Sequence, residues 1–373
     1  PTFVSSTLTW EKVTTLDLGL DARFFNDALG VTFDWYNRTT SDILTTANLP
    51  ATLGADAPYE NMGTIQTKGW ELAIDYRHTF KNGLHFGVTA SVADDKTEVT
   101  KWTYNTKIPS YGATGWWDKS AYKEGMVLGD IWGLQFDRFL TEDDFNADGS
   151  LKAGLPDQTK VFPAGYQFAP GDVLYKDLDN NGEIVKQTNT NDKGDLSVIG
   201  NALPRLQFGL NLDAAWKGFD ISMFFQGVAK RKLWAAGNQV LPGFTTGEPF
   251  YKGAEDYWTP ENTDAFYPRP MDYKQSASGN YSVNDRYLLN MAYLRLKTFT
   301  VGYSLPKVWL SKFKVQGLRV YFTGENLFTI DGVKPAIDPE IGIRTASGKS
   351  DQRNFGRSYP YQKTVSFGIQ LSL

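Results

Sequence analysis

The run Asp177-Leu178-Asp179-Asn180-Asn181-Gly182 puts a side-chain oxygen at every second position and a glycine at the sixth, the spacing of the first half of a calcium-binding loop. Hard oxygens suit calcium, and the glycine allows the sharp turn that makes successive side chains converge on one ion. Asp177, Asp179 and Asn181 are therefore candidate ligands for a structural Ca2+. The twelfth position holds Thr188, where a bidentate carboxylate closes such loops, so closure falls to Asp192 or Asp195 reaching back. The same residue types also build ordinary turns, and a plain turn is the competing reading.

Covalent chemistry finds less support. There are two histidines, His78 and His85, and no cysteine. They flank Lys81-Asn82-Gly83, and a three-residue loop pairs His78 with Phe86 and His85 with Thr79. The two rings then point to opposite faces and can share neither a zinc ion nor a triad. Asp143, Asp144, Glu255 and Asp256 lie in polar stretches where two carboxylates could in principle form a glycosidase pair. Solvated charge is the far commoner role, and no catalytic residue is expected. Trp116, Trp117, Trp132, Trp234, Tyr251, Tyr257 and Trp258 lie in or beside the same stretches. Flat rings there can stack on sugars or grip apolar side chains of a peptide, which makes them the candidate substrate-binding residues. The alternative is that a loop of about 100 residues needs a core of its own, and that role claims most of them.

The elements that position these loops are strands. In 206–226, apolar residues occupy even positions from Leu206 to Trp216, and odd positions from Phe219 to Phe225 after Lys217-Gly218. A two-residue turn predicts that switch, pairing Trp216 with Phe219, Ala214 with Ile221 and Leu212 with Met223, so both apolar rows share one face. Leu16 to Phe24 and Leu29 to Trp35 repeat the pattern across a four-residue loop at 25–28, and Trp70 to Tyr76 and Leu84 to Val92 repeat it across Lys81-Asn82-Gly83. Between Leu296 and Phe299 the apolar phase slips, which predicts a bulge near Lys297. Leu318 to Phe322 and Val365 to Leu373 are the last strands. Such two-faced pairs fit a sandwich core or a membrane-spanning barrel wall equally well.

Composition agrees with an all-β chain: 373 residues carry Gly 35, Trp 11, Tyr 19 and Phe 24. No apolar run approaches the roughly 18 residues of a membrane helix, while a mean hydropathy of -0.38 is compatible with barrel strands, whose apolar residues alternate with polar ones. A net charge of -4 gives no reason to expect nucleic acid as a partner.

Loop length decides between the two architectures. Of the connections between nine long strands, those at 25–28, 81–83 and 217–218 are short and 306–317 is moderate, while those near 47–61, 101–202, 237–290 and 330–360 are long. The two classes fall on opposite ends, the arrangement of an outer-membrane barrel with short periplasmic turns and long extracellular loops. The count puts the C-terminus on the periplasmic side. Nine strands leave two open edges, which lipid does not tolerate, so further strands are expected before Pro1; the start without a signal peptide likewise suggests a fragment.

The ordered stretches GTIQTKGWEL (63–72), GDIWGLQFDRFL (129–140), PGDVLYKDLDNNGEI (170–184), VIGNALPRLQFGLNLDAAWKGFDISMFFQGV (198–228), YLRLKTFTVGYSLP (293–306) and LRVYFTGENLFT (318–329) resemble SusC/RagA-type TonB-dependent outer-membrane transporters. The resemblance implies that residues 1–373 are the C-terminal portion of a barrel of about 22 antiparallel strands, with the plug domain and TonB-contact segment outside this chain. It also implies import of an oligosaccharide or peptide, a SusD-like surface lipoprotein as lid, and TonB as the energy-coupling partner. The last residue departs from the pattern, Leu373 standing where such barrels end in an aromatic. Two other readings stay open: a passive outer-membrane channel or adhesin, and a soluble glycan-binding or glycoside-cleaving β protein.

Overall fold

The computed structural model describes residues 8–46, 58–103, 122–186, 192–235, 237, 239–243, 250–271, 279–310, 315–334, 337–340, 345–346, 349–350 and 359–372. Nine strands form one antiparallel sheet in sequence order. They are β1 (Lys12–Phe24), β2 (Leu29–Thr46), β3 (Tyr59–Thr79), β4 (His85–Trp102), β5 (Arg205–Trp216), β6 (Phe219–Lys230), β7 (Tyr293–Ser304), β8 (Gly317–Asp331) and β9 (Thr364–Ser372).

Register follows the apolar alternation, because a slip of one residue would move every side chain to the other face. Trp216 pairs with Phe219, Ala214 with Ile221 and Leu212 with Met223 across Lys217-Gly218, both of which take positive φ. Phe24 pairs with Leu29, and Thr79 with His85. The third turn closes through Phe80 N–H to Leu84 O at 2.8 Å, with Gly83 at φ +82°. The expected bulge is present: β6 pairs Phe224 with Thr298 and Phe225 with Leu296, which leaves Lys297 out of the ladder. Opposite it, β8 skips Asn326 and Leu327.

One face of the sheet is a continuous apolar surface exposed in this chain, including Leu18 at 59 %, Phe367 at 81 % and Ile369 at 73 %. Trp216, Phe219 and Tyr303 gather at its short-turn end, where the Phe219 and Tyr303 rings lie 4.5 Å apart and the Trp216 indole donates to Asn82 O. The other face is cross-linked by polar pairs such as Arg23–Asp75 at 2.7 Å, Arg319–Asp220, and Thr67 with Thr97 at 2.8 Å. There the Tyr36 ring covers Gly69 and the Tyr321 ring covers Gly368, close enough that a Cβ at either glycine would collide.

The long connections co-fold at the opposite end. Within 103–204, Asp130–Gly133 pairs with Ser197–Asn201 and Phe136–Phe139 with Val173–Tyr175, while Lys232–Leu233 pairs with Leu289–Asn290 in the next connection. Two apolar cores cross these boundaries. One joins Ile131 to Trp234, Leu241, Tyr287 and Val333, and the other joins Leu134, Val173 and Tyr175 to Trp258. Loops this long are stable because they bury a shared core instead of three separate ones.

Candidate functional site

The joint between the two longest loops is an ionised network. Asp172 is fully buried and accepts from Arg269 Nε at 2.8 Å, Tyr166 Oη at 2.9 Å and Asn280 Nδ2 at 3.0 Å. Asn280 Oδ1 in turn accepts from Val173 N–H at 2.8 Å. Burial, with the Asp172 charge adding to it, pushes the Tyr166 hydroxyl well above its ordinary range. The bonds from Arg269 Nε, Tyr166 and Asn280 fall on Asp172 Oδ1, while Oδ2 accepts from Ala169 N–H at 2.9 Å and Arg269 Nη2 at 3.3 Å. Both oxygens of the buried carboxylate are thereby occupied, the condition under which an interior charge is tolerated.

Arg269 also shapes a cleft. With its backbone N–H on Gly171 O at 3.1 Å and its side chain drawn to Asp172, the flanking Pro268 and Pro270 are left on the cleft wall. Phe250, Tyr251, Tyr257 and Pro242 complete that wall around a volume of about 560 Å³. Tyr257 is placed by a bridge to Tyr267, whose hydroxyl donates to Val240 O at 3.0 Å. Lys252 and Glu255 stand at the cleft beside a turn closed by Ala254 N–H to Tyr251 O at 3.1 Å.

The candidate aromatics thus separate by role. Tyr251 and Tyr257, each 40 % exposed, line the cleft, whereas Trp234 and Trp258 are core residues and Trp132 packs against the second core. Trp116 and Trp117 lie outside the described residues. Sequence reasoning misses Pro242, Phe250, Pro268 and Pro270; the last two carry a signal, a Pro-Arg-Pro spacing that presents two rings on one side of an extended segment, and the first two carry none.

In the candidate calcium loop, Asp177, Asp179 and Asp195 each bring one carboxylate oxygen to within 4.8 Å of the others. Two ligands across an ion held at about 2.3–2.6 Å lie at that separation. Asp195 is the residue that reaches back, held by N–H groups of Leu178 and Val185 at 2.8 Å each. The Asn181 amide is spent within the turn, its oxygen accepting from Glu183 N–H at 2.8 Å and its nitrogen donating to Asp179 at 3.0 Å. The Gly182 N–H holds the Asp177 carboxyl below its ordinary value. Thr188 lies outside the described residues.

Other candidates resolve into structural parts. His78 lies edge-on to Phe80 at 4.5 Å, and His85 meets Thr79 and Asp213 on the opposite face, so the rings stand apart as the register requires. Asp144 is forked by Arg138 at 2.6 and 2.7 Å and caps the turn at Thr141, which lowers its carboxyl to about 2. A general acid of a glycosidase pair needs the reverse shift. On the polar face of the sheet, buried Arg295 of β7 donates to Thr329 at 2.7 Å and to Asp338 at 2.6 Å, and Lys297 donates to Glu340 at 2.9 Å. Tyr361 N–H donates to Asp338 at 2.9 Å, so both described ends of the connection after β8 are tied to the bulge.

Residues 1–327 match the family model for the TonB dependent receptor-like β-barrel. TonB-dependent receptor P3 of Formosa agariphila is 28% identical, the alignment covering 99% of this chain and 35% of that protein. TonB-dependent receptor SusC of Bacteroides thetaiotaomicron is 24% identical over 100% of this chain and 33% of its own length. The chain therefore spans about a third of the length of these relatives. The structure of the RagAB peptide transporter superposes with a TM-score of 0.69 at 21% identity, over 98% of this chain and 36% of that one. With its single antiparallel sheet of two-faced strands and its loops segregated by length, the chain belongs to the TonB-dependent receptor β-barrel family and is a barrel segment of the SusC/RagA type.

Proposed function

We propose that this chain is wall and loop body of an outer-membrane importer that takes up an oligosaccharide or peptide with TonB as energy source and a SusD-like surface lipoprotein as lid. One observation carries the reading: all the long connections of the sheet leave from one end and three of them fold into a shared body there, which suits a vault above a barrel. In this orientation the short turns and the C-terminus are periplasmic, the apolar face meets lipid, and Asn211, Asp213, Asp220 and Gln226 face a lumen closed by a plug. The RagAB transporter, described as a peptide importer in open-open and closed-closed states, supports a lidded cycle of this kind. In the same reading a calcium ion bound by Asp177, Asp179 and Asp195 staples the loop body.

The test is uptake by cells carrying the full-length receptor, compared with cells lacking TonB and with cells lacking the partner lipoprotein. Uptake falls to background without TonB if the reading holds. Unchanged uptake without TonB identifies a passive channel, and absence of any uptake with retained surface adhesion identifies an adhesin.

A further inference from the structure

The cleft framed by Tyr251, Tyr257, Phe250, Pro242, Pro268 and Pro270 lies against the first loop core, whose Tyr267 and Tyr281 also line it, and its walls are fixed. Pro268 and Pro270 are held by the Arg269–Asp172 pair at 2.8 Å, and Tyr257 by backbone bonds on both sides of its neighbours, Trp258 N–H to Tyr267 O at 3.0 Å and Tyr267 N–H to Asp256 O at 2.9 Å. A preformed wall loses little conformational freedom when a ligand enters, and its volume of about 560 Å³ falls in the range of small-ligand sites, about 300–1,000 Å³.

The wall chemistry selects the ligand. Proline rings present no N–H donor, so a bound chain cannot add to this wall as a β-strand. Tyrosine, phenylalanine and proline faces instead suit a polyproline-like extended peptide, whose apolar side chains pack against rings while its backbone stays hydrated. A sugar would bring hydroxyls against the Pro242, Phe250, Pro268 and Pro270 faces, which offer them no partner, and each one left unpaired there is costly. Lys252 and Glu255 add opposite charges three positions apart, and neither is in a salt bridge among the described residues. That pair complements the carboxylate and ammonium ends of a short free peptide.

We propose that this cleft binds a short free peptide in extended conformation, with its apolar side chains on Tyr251 and Tyr257 and its charged ends at Lys252 and Glu255. The proposal rests on the transport reading and narrows its cargo to peptide. The probe is a panel of tetrapeptides alternating proline with leucine, phenylalanine or valine, titrated calorimetrically into the purified full-length receptor. The expected result is binding that weakens about tenfold or more when Tyr251→Ala and Tyr257→Ala are combined, and by a similar factor when the peptide ends are acetylated and amidated. Equal thermal unfolding of the variant and the wild type separates loss of the site from loss of the fold. No binding at millimolar peptide, equal binding by the variant, or a neutral tetrasaccharide that binds and is lost in the variant each overturns the proposal. Equal binding of the capped peptides overturns it in favour of docking an internal segment of a protein partner. TonB-dependent uptake is scored separately: an importer whose tyrosine variants bind as wild type loses the cleft and keeps the transport reading, whereas TonB-independent uptake removes the energy-coupled reading in favour of a passive channel and leaves the binding result intact.

Discussion

At the scale of residues, charges in the loop body are used as fasteners. Asp144 shows this with a measurable consequence. Its carboxyl sits at about 2 because Arg138 and Thr141 favour the ionised form, below the ordinary 3.8. A depressed folded-state value contributes stability above the unfolded value, lost as pH falls through the folded one. Thermal stability of the loop body therefore falls from about pH 4 toward pH 2, and Asp144→Asn flattens that decline while costing roughly 1 kcal/mol at neutral pH, given the partial exposure of Arg138. For the calcium proposal, adding calcium to chelator-treated receptor raises the unfolding temperature, and Asp195→Asn abolishes the increase; an equal response in that variant would remove the ion from this site. The Asp177 to Gly182 spacing was legible in the sequence because ligand spacing is local, whereas the choice between Asp192 and Asp195 for the residue reaching back needed the fold. Asp172–Arg269 and Arg295–Asp338 were not, since their partners lie 97 and 43 positions apart and nothing local marks them.

Strands are the most legible elements of this chain. Turn length and apolar parity constrain each other, so Lys217-Gly218, the four-residue loop after Phe24 and the loop at Gly83 each fixed a register that the sheet reproduces. The phase slip at Lys297 was legible for the same reason, but its use was not: the bulge sends Lys297 to Glu340, a loop carboxylate that also binds Arg295. Face assignment carries its own prediction. Leu210, paired with Phe225 and Ala90 near mid-strand, lies in the apolar row, and Leu210→Arg should destabilise the folded barrel by about 2–4 kcal/mol in bilayers. Asn211→Arg, one residue along and on the other face, should cost much less. Reversible unfolding in lipid vesicles reads the difference.

For the whole molecule, the segregation of connections by length turned ambiguous two-faced strands into barrel wall. The loop body was the least legible part: seven aromatics called attention to it, but only folding separates Trp234 and Trp258, which fill cores, from Tyr251 and Tyr257, which face a cleft. The central claim is that the even-numbered row of β5 meets lipid while the odd-numbered row faces the lumen. This chain has no cysteine, so once any cysteine elsewhere in the full-length receptor is replaced, single cysteines at 207, 208, 210, 211, 212 and 213 can carry nitroxide labels in native membranes. The account predicts that labels at 208, 210 and 212 relax with lipid-dissolved oxygen and those at 207, 211 and 213 with a water-soluble nickel reagent. Accessibility without a period of two, or with the two rows exchanged, would contradict it.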